Sequence, residues 1–226
     1  MSAYDILKTR GVTRLCHFTR LQNLTHIMSS EKGLLASSSI RYDTKNVTDE
    51  KRYDNEGKSV CCTIQYPNSW FLQKAMRENT DKIFEDWVVL YIDLSILNCR
   101  EAKFCPCNAS KGKGAYINSD MGEIESIFSV SVPTFSYPRP PKMLASCPTD
   151  GQAEILIRDN IPREYISGIA AHNEEVAKRV KAMLKIYGVE QIEIYIAPDV
   201  FTKNWSAMIK NGCKPDETRC AWLEEE

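Results

Sequence analysis

The pattern of apolar and polar positions predicts a series of short strands and helices. Residues 15–19 have the pattern of a strand, and residues 21–30 place apolar side chains on one face of a helix. Residues 87–92 are continuously apolar, which indicates a buried strand. The other predicted elements are strands at 60–64, 154–157, 166–171 and 192–196 and helices at 69–76, 122–128 and 174–187.

The order of these elements indicates the fold class. Strands and helices are mixed without a regular alternation of strand and crossover helix, so we predict an α+β fold. Neither G-x-G-x-x-G nor G-x-x-x-x-G-K-[ST] occurs, so a nucleotide would have to be held by another scaffold. A length of 226 residues predicts one domain spanning residues 1–226.

Several long segments lack a periodic pattern. Residues 36–58 are polar and charged, and residues 132–151 contain five prolines, which exclude regular structure there. Long connections of this kind tend to be functional. Residues 98–120 are expected to be irregular, and the tail from residue 201 is only weakly patterned.

Composition and charge restrict the class of protein. The chain is 43% hydrophobic and 26% charged, as expected of a folded globular protein. A formal net charge of −1 gives no global basic field, so any nucleic-acid contact would need a local basic patch. The polar segment 1–11 does not have the pattern of a signal peptide, and no stretch is long enough to cross a bilayer, so we expect a cytoplasmic protein.

The nine cysteines are expected to be reduced thiols. Their number is odd, and a chain of this size does not need disulfide staples. Cys61 and Cys62 lie in an apolar run and are expected in the core. Cys105 and Cys107 are separated by one residue, unlike the two-residue gap of common zinc motifs, so we predict no metal site.

Three residues stand out against their surroundings. Glu154 begins an otherwise apolar strand, and a carboxylate there is costly to desolvate unless it has a role or a partner. His17 lies in the middle of a strand, where a structural, hydrogen-bonded role is the ordinary interpretation. Arg52 lies in the charged run 49–54, which alone would indicate a solvated cluster of ion pairs.

Two stretches carry a resemblance. Residues 15–19 (LCHFT), followed by Asn23-Leu24 and Gly33-Leu34-Leu35, are similar to the opening of the DarT family of DNA ADP-ribosyltransferase toxins. Residues 152–157 (QAEILI) resemble the Gln-Ala-Glu catalytic strand of that family, and Arg52 lies where the family carries its catalytic arginine. The resemblance is scattered over residues 14–200. An aromatic pair of the family is replaced here by Cys-Cys-Thr-Ile-Gln, and the region from residue 70 to residue 133 differs.

The resemblance implies a fold and a reaction. The fold is an ADP-ribosyltransferase-like central split β-sheet with flanking helices, and NAD⁺ is a substrate, with no metal. Breaking the bond between nicotinamide and ribose creates oxocarbenium character, which the carboxylate of Glu154 would stabilise. The resemblance implies that His17 hydrogen-bonds the ribose with Thr19 nearby, and that Asn23 contacts the nicotinamide or the ribose. Arg52 would face the pyrophosphate or the incoming base.

The proline-rich segment 132–151, which we call the acceptor loop, is the candidate reader of the acceptor. Phe135 and Tyr137 could stack on unpaired bases, while Arg139 and Lys142 could meet phosphates. A base within a duplex would first have to be flipped, so single-stranded nucleic acid is the expected substrate. The resemblance implies DNA rather than RNA. A proline-stiffened surface loop is the structural alternative.

Other functions stay open at this point. The acceptor could be protein or water, or the fold could bind NAD⁺ without turnover. A cysteine hydrolase is a further alternative, although no cysteine has a recognisable nucleophile context. The resemblance also implies a toxin of a toxin–antitoxin or phage-defence system, with a cognate antitoxin protein as partner.

Overall fold

Short strands and helices alternate irregularly along the chain. The structure is a computed structural model that describes residues 2–40, 54–79 and 85–221. The strands are β1 (Leu15–Arg20), β2 (Leu34–Leu35), β3 (Ser59–Ile64), β4 (Trp87–Ile92), β5 (Ala102–Cys105), β6 (Glu154–Arg158), β7 (Asn160–Ile161), β8 (Ile166–Ala171), β9 (Glu193–Ile196) and β10 (Thr218–Arg219). The helices are α1 (Ala3–Thr9), α2 (Leu24–Met28), α3 (Ser69–Glu78), α4 (Glu174–Ile186) and α5 (Asn204–Lys210).

A large mixed sheet organises the fold. Within the described ranges, eight strands form this sheet in the order β10-β9-β8-β4-β1-β3-β6-β5, and β2 and β7 form a separate pair. Neighbours in the large sheet are antiparallel except for β8 and β9, which are parallel and connected through α4. This arrangement confirms the α+β prediction. A parallel pair needs a crossover helix, and in this mostly antiparallel sheet only the β8–β9 pair among the described strands is parallel.

Helices cover both faces of the sheet. On one face α1, α2 and α4 pack with the strands around Leu90, and on the other face α3 and α5 pack with them around Val89. Strand β4 is buried along its whole length because its alternate side chains enter these two cores. This explains its continuously apolar sequence.

The sheet is split between β1 and β3. Strand β1 pairs with β4 at all six of its residues, but it pairs with β3 only at Leu15 and Cys16. From His17 onwards the two strands are no longer paired. The split-sheet expectation is thereby met, and the opening positions the functional site.

The predicted strands are confirmed, and several helices differ in detail. The helix expected over 21–30 is divided into a 3₁₀ turn at Leu21–Asn23 and α2, and the one expected over 122–128 is a 3₁₀ helix at Met121–Phe128. Helix α3 is capped by Asn68, whose side chain accepts a hydrogen bond from the Phe71 backbone N–H at 3.1 Å, and not by Ser69.

Six of the labelled strands and helices were not predicted: β2, β5, β7, β10, α1 and α5. Strand β5 lies in the segment expected to be irregular; it is a short strand at the edge of the sheet that pairs with β6 and forms an isolated bridge between Phe104 and Asn118. Helix α1 begins with a capping box formed by Ser2 and Asp5. The tail contains α5 and β10.

The tail is connected to the centre of the sheet by a partly buried ion pair. Arg14 donates two hydrogen bonds to the Glu217 carboxylate, and Arg14 also lies over the Tyr91 ring at 3.7 Å. The Tyr91 hydroxyl donates to Glu217 at 2.7 Å. No helix in the described ranges has the length and apolar character needed to cross a membrane.

Candidate functional site

A cavity of about 460 Å³ opens where β1 and β3 separate. It is lined by β1, by β3, by the chain that follows α2, and by the first residue of β6. Its volume lies within the range of about 300–1,000 Å³ that is common for small-molecule sites. His17, Thr19, Asn23 and Glu154 all line this space, which we call the main cavity.

His17 lies at the point where the strands separate. Its Nδ1–H donates a hydrogen bond of 2.9 Å to the Cys61 carbonyl oxygen of β3. A carbonyl can only accept, so this contact places the proton on Nδ1, and Nε2 of the neutral ring is then an acceptor. The imidazole thus spans the split in place of a backbone ladder contact.

Thr19 and Asn23 form a polar pair next to His17. The Asn23 side-chain amide donates to the Thr19 hydroxyl oxygen at 2.9 Å, and Thr19 is only 5% exposed. The two residues are brought together because the 3₁₀ turn at Leu21–Asn23 reverses the chain directly after β1. Both polar groups therefore lie along one wall of the main cavity.

Glu154 begins β6 and lies beside Thr63 of β3 and Cys105 of β5. Its side chain is 7% exposed, and its Oε1 accepts a hydrogen bond of 2.9 Å from the Asn108 side-chain amide. A buried carboxylate is costly unless such donors compensate for lost water. The start of β6 therefore presents a largely desolvated carboxylate to the main cavity.

Asn108 is a site residue that sequence reasoning missed. It lies in the segment 98–120, which was expected to be irregular, and it forms a turn there: its Oδ1 accepts from the Ser110 backbone N–H at 3.1 Å and from the Ser110 hydroxyl. Asp54, a second buried carboxylate of the main cavity, was also missed. The Asn-x-Ser sequence at residues 108–110 indicates a turn, but it does not indicate that Asn108 contacts Glu154.

Gly33, in the Gly33-Leu34-Leu35 part of the resemblance, has a structural role. Its φ is +64°, a left-handed conformation, and an added Cβ would lie 2.3 Å from the Ile161 carbonyl oxygen. The close approach lets Leu34 pair with Ile161 in the β2–β7 ladder, which brings the chain after α2 against the main cavity.

The thiols near Glu154 do not have the properties of a nucleophile. Burial, together with the charges of Cys16 and Glu154, raises the pKa of the Cys62 thiol. The hydrogen bond from the Cys105 thiol lowers the pKa of Cys107 to about 7, but Cys107 is fully buried. These features disfavour a cysteine hydrolase. All nine cysteines are free thiols.

The residues predicted in the acceptor loop lie outside the main cavity. Tyr137 is 71% exposed and meets Phe135 edge-on, with ring centroids 6.0 Å apart. Phe135 also lines a smaller cavity of about 100 Å³, and Lys142 is exposed. The Arg139 guanidinium donates to the Cys147 and Leu144 carbonyl oxygens, both at 2.7 Å. Burial lowers the pKa of Arg139.

The acceptor loop therefore contains both a structural and an exposed part. Arg139 supports the loop through backbone contacts, whereas Tyr137 is placed to meet a ligand from solvent. A role of these four residues in binding nucleic acid stays a prediction. Arg52 lies outside the described residues. Among the residues that are described, no group of three or more His, Cys, Asp or Glu side chains is arranged to hold a metal ion.

A comparison with protein families identifies the chain. Residues 16–202 match a family described as ssDNA thymidine ADP-ribosyltransferase. The match covers most of the chain, so the protein is an enzyme that transfers ADP-ribose from NAD⁺ and acts on single-stranded DNA. The chain belongs to the DarT family, as the two motifs around His17 and Glu154 indicated.

Solved structures show the same fold. DarT of Thermus sp. 2.9 in complex with ADP-ribosylated ssDNA matches with a TM-score of 0.62 at 16% identity, over 84% of this chain and 97% of that one. Its complex with NAD⁺ matches over the same shares, with a TM-score of 0.61 at 16% identity. Thermosipho africanus DarTG in complex with ADP-ribose has a TM-score of 0.59 at 14% identity, over 84% and 51%. Curated protein sequences give no match.

Proposed function

We propose that this enzyme ADP-ribosylates thymidine in single-stranded DNA, with Glu154 as the catalytic carboxylate. His17, Thr19 and Asn23 bind NAD⁺, and Arg52 faces the pyrophosphate or the incoming base. The observation that carries the proposal is the convergence of Glu154, His17, Thr19 and Asn23 on one cavity, although 137 residues separate His17 from Glu154 in the sequence.

The desolvated carboxylate suits the first half of the reaction. As the bond from the ribose C1′ to nicotinamide breaks, nicotinamide leaves with the bonding electrons and positive charge develops on C1′ and the ring oxygen. A carboxylate in a site of low dielectric stabilises this charge more strongly than it would in water. Glu154 fits this role because it is 7% exposed and its Oε1 accepts a hydrogen bond from the neutral side-chain amide of Asn108.

The same carboxylate can complete the transfer. In thymidine the base carries a single N–H, at N3, because N1 is bonded to the sugar. When N3 bonds to C1′, this proton must leave, and a carboxylate within hydrogen-bond reach can accept it. We therefore assign to Glu154 both the stabilisation of the ribosyl cation and the removal of the thymine proton.

We further propose that the chain is the toxin of a toxin–antitoxin or phage-defence system and acts in the cytosol. Support comes from the family match and from the similarity to Thermosipho africanus DarTG, of which this chain covers 51%. The partner would be a cognate antitoxin protein. Modified thymines in single-stranded regions would obstruct base pairing during replication, which gives the modification a toxic effect.

The test compares the wild type with Glu154→Gln. Glutamine keeps an oxygen that can accept from Asn108 but lacks the charge, so we expect transfer from labelled NAD⁺ to an oligonucleotide to fall at least about 10³-fold. The melting temperature should stay unchanged. Mass spectrometry should place the ADP-ribose on thymidine, and an oligonucleotide without thymidine should stay unlabelled.

The outcomes separate the competing functions. Undiminished transfer by Glu154→Gln would refute the role of Glu154, and label on another base would refute the proposed target. Label found only on protein would favour a protein acceptor. Expression in bacteria should arrest growth for the wild type but not for Glu154→Gln, and equal growth of both strains would contradict the toxin role.

A further inference from the structure

The turn at residues 108–111 contacts the site in two directions. On one side, the Asn108 side-chain nitrogen donates to Glu154 Oε1 at 2.9 Å. On the other side, Lys111 Nζ donates to the Thr134 hydroxyl oxygen at 3.0 Å and lies 3.6 Å from Asp150 Oδ2. Thr134 and Asp150 lie near the two ends of the acceptor loop. We call this segment the aligning turn.

The orientation of the Asn108 amide is fixed from within the turn. Its Oδ1 accepts from both donors of Ser110, so the amide nitrogen is the group that faces Glu154. The turn is closed by a 3.0 Å hydrogen bond from the Lys111 backbone N–H to the Asn108 carbonyl oxygen. A glutamate has three side-chain torsions, so a fixed donor restricts where its carboxylate can lie.

The Lys111 contacts stabilise a strained part of the acceptor loop. Thr134 has a φ of +64°, which is unfavourable for a β-branched residue and persists only where surrounding contacts hold it. The Asp150 side chain is 2% exposed, and its other oxygen accepts from the Gln152 backbone N–H at 2.9 Å. Lys111 thus connects the start of the acceptor loop to the segment that leads into Glu154.

We infer that the aligning turn positions both the Glu154 carboxylate and the acceptor loop. Asn108 is a positioning residue for Glu154, and Lys111 is a positioning residue for the acceptor loop. The inference rests on the proposed role of Glu154. Asn108 orients the carboxylate without neutralising it, because an amide carries no charge. Lys111 orders the loop that would receive the DNA, so each side chain governs a different kinetic parameter.

The decisive experiment for Asn108 compares Asn108→Ala with Asn108→Asp. Aspartate keeps the acceptor that Ser110 uses, so it preserves the turn, but it cannot donate to Glu154 and places a like charge beside it. We expect both variants to lower kcat about 10–100-fold with the KM for NAD⁺ changed less than about 3-fold, and Asn108→Asp to be at least as impaired as Asn108→Ala. A merely structural turn residue would give an active Asn108→Asp.

The matched pair for Lys111 is Lys111→Met and Lys113→Met. Both remove one positive charge from nearby positions, but Lys113 is exposed, whereas Lys111 is half-buried and contacts Thr134 and Asp150. We expect Lys111→Met to raise the KM for the oligonucleotide about 10-fold at unchanged kcat, and Lys113→Met to stay within about 2-fold. Equal effects of the two variants would overturn the role of Lys111.

The two levels of inference fail in different ways. If Glu154→Gln stays active, the proposed catalytic role of Glu154 is wrong. If Glu154→Gln is inactive while both Asn108 variants keep wild-type kcat, the proposed function survives and the positioning role of Asn108 is refuted. Thermal melting of all variants identifies those that lose activity only because they unfold.

Discussion

Strand β1 has two neighbouring strands, and the extent of its backbone pairing differs between them. With β4 it pairs along its whole length, whereas with β3 it pairs at Leu15 and Cys16 and then separates. The paired side is apolar and fully buried, as Leu90 of β4 shows with 0% exposure. The open side carries His17, the Cys61 carbonyl oxygen and the main cavity.

The difference shows how a sheet can provide both stability and a site. An interrupted ladder leaves backbone groups that need other partners, because buried N–H and C=O groups are rarely unpaired. At the split, side chains supply them: His17 donates to the Cys61 carbonyl oxygen, and the Thr63 hydroxyl donates to the Cys16 carbonyl oxygen at 3.4 Å. Substitutions on the paired side should therefore affect stability, and those on the open side should affect catalysis.

The largest effect is expected on the paired side, for Leu90→Ala. Leu90 lies opposite His17 on β1 and Ile169 on β8, and its truncation leaves a cavity in the larger core. The free energy of unfolding should fall by about 2–5 kcal/mol, as for other buried leucines. Denaturant unfolding measures the loss, and kcat of the folded fraction should stay near the wild-type value.

Cys61→Ala is the control from the open side. Cys61 is half-buried and lines the main cavity, so its truncation removes less packing, and we expect a loss below about 1 kcal/mol. Equal destabilisation by Leu90→Ala and Cys61→Ala would show that the two sides of β1 do not divide their roles in this way.

The next effect is expected at the split itself, from a pair of His17 variants. In Asn, the side-chain nitrogen can take the place of Nδ1 and keep the contact with the Cys61 carbonyl oxygen, but the group at the position of Nε2 is lost. We expect both His17→Asn and His17→Ala to lower transfer about 10–100-fold, since each removes the hydrogen bond to the ribose that we propose for His17. Only His17→Ala should also lower the melting temperature.

Rates of ADP-ribose transfer and thermal melting distinguish these outcomes. Wild-type transfer by His17→Asn would mean that the imidazole serves only to bridge β1 and β3. His17 would then have only a structural role on the open side of β1, and its proposed contribution to NAD⁺ binding would be rejected.

His17 and Glu154 stood out in the sequence because His17 lies within a strand and Glu154 begins an apolar one, but only the family resemblance predicted that they share a site. The split was expected only from the family resemblance, because β1 and β3 each have an ordinary strand pattern, and their pairing is a long-range property that neither strand specifies alone. Asn108 was missed for a related reason: its partner Glu154 is 46 residues away, and an Asn in a turn has a sufficient local explanation. Local patterns thus predict elements and unusual residues but not which turns meet the site.

The smallest effect is expected at Thr19, whose backbone belongs to the paired side of β1 and whose side chain faces the open side. The Thr19 backbone pairs with Val88 of β4, while its hydroxyl accepts from the Asn23 amide beside the main cavity. Thr19→Val keeps the shape and the pairing but removes the acceptor, so the Asn23 amide loses its hydrogen bond to residue 19. We expect the KM for NAD⁺ to rise about 3–10-fold and the free energy of unfolding to fall by about 1 kcal/mol. Thr19→Ser, which keeps the hydroxyl, should restore the KM. A Thr19→Ser variant as impaired as Thr19→Val would show that the methyl group matters at this position and the polar contact does not.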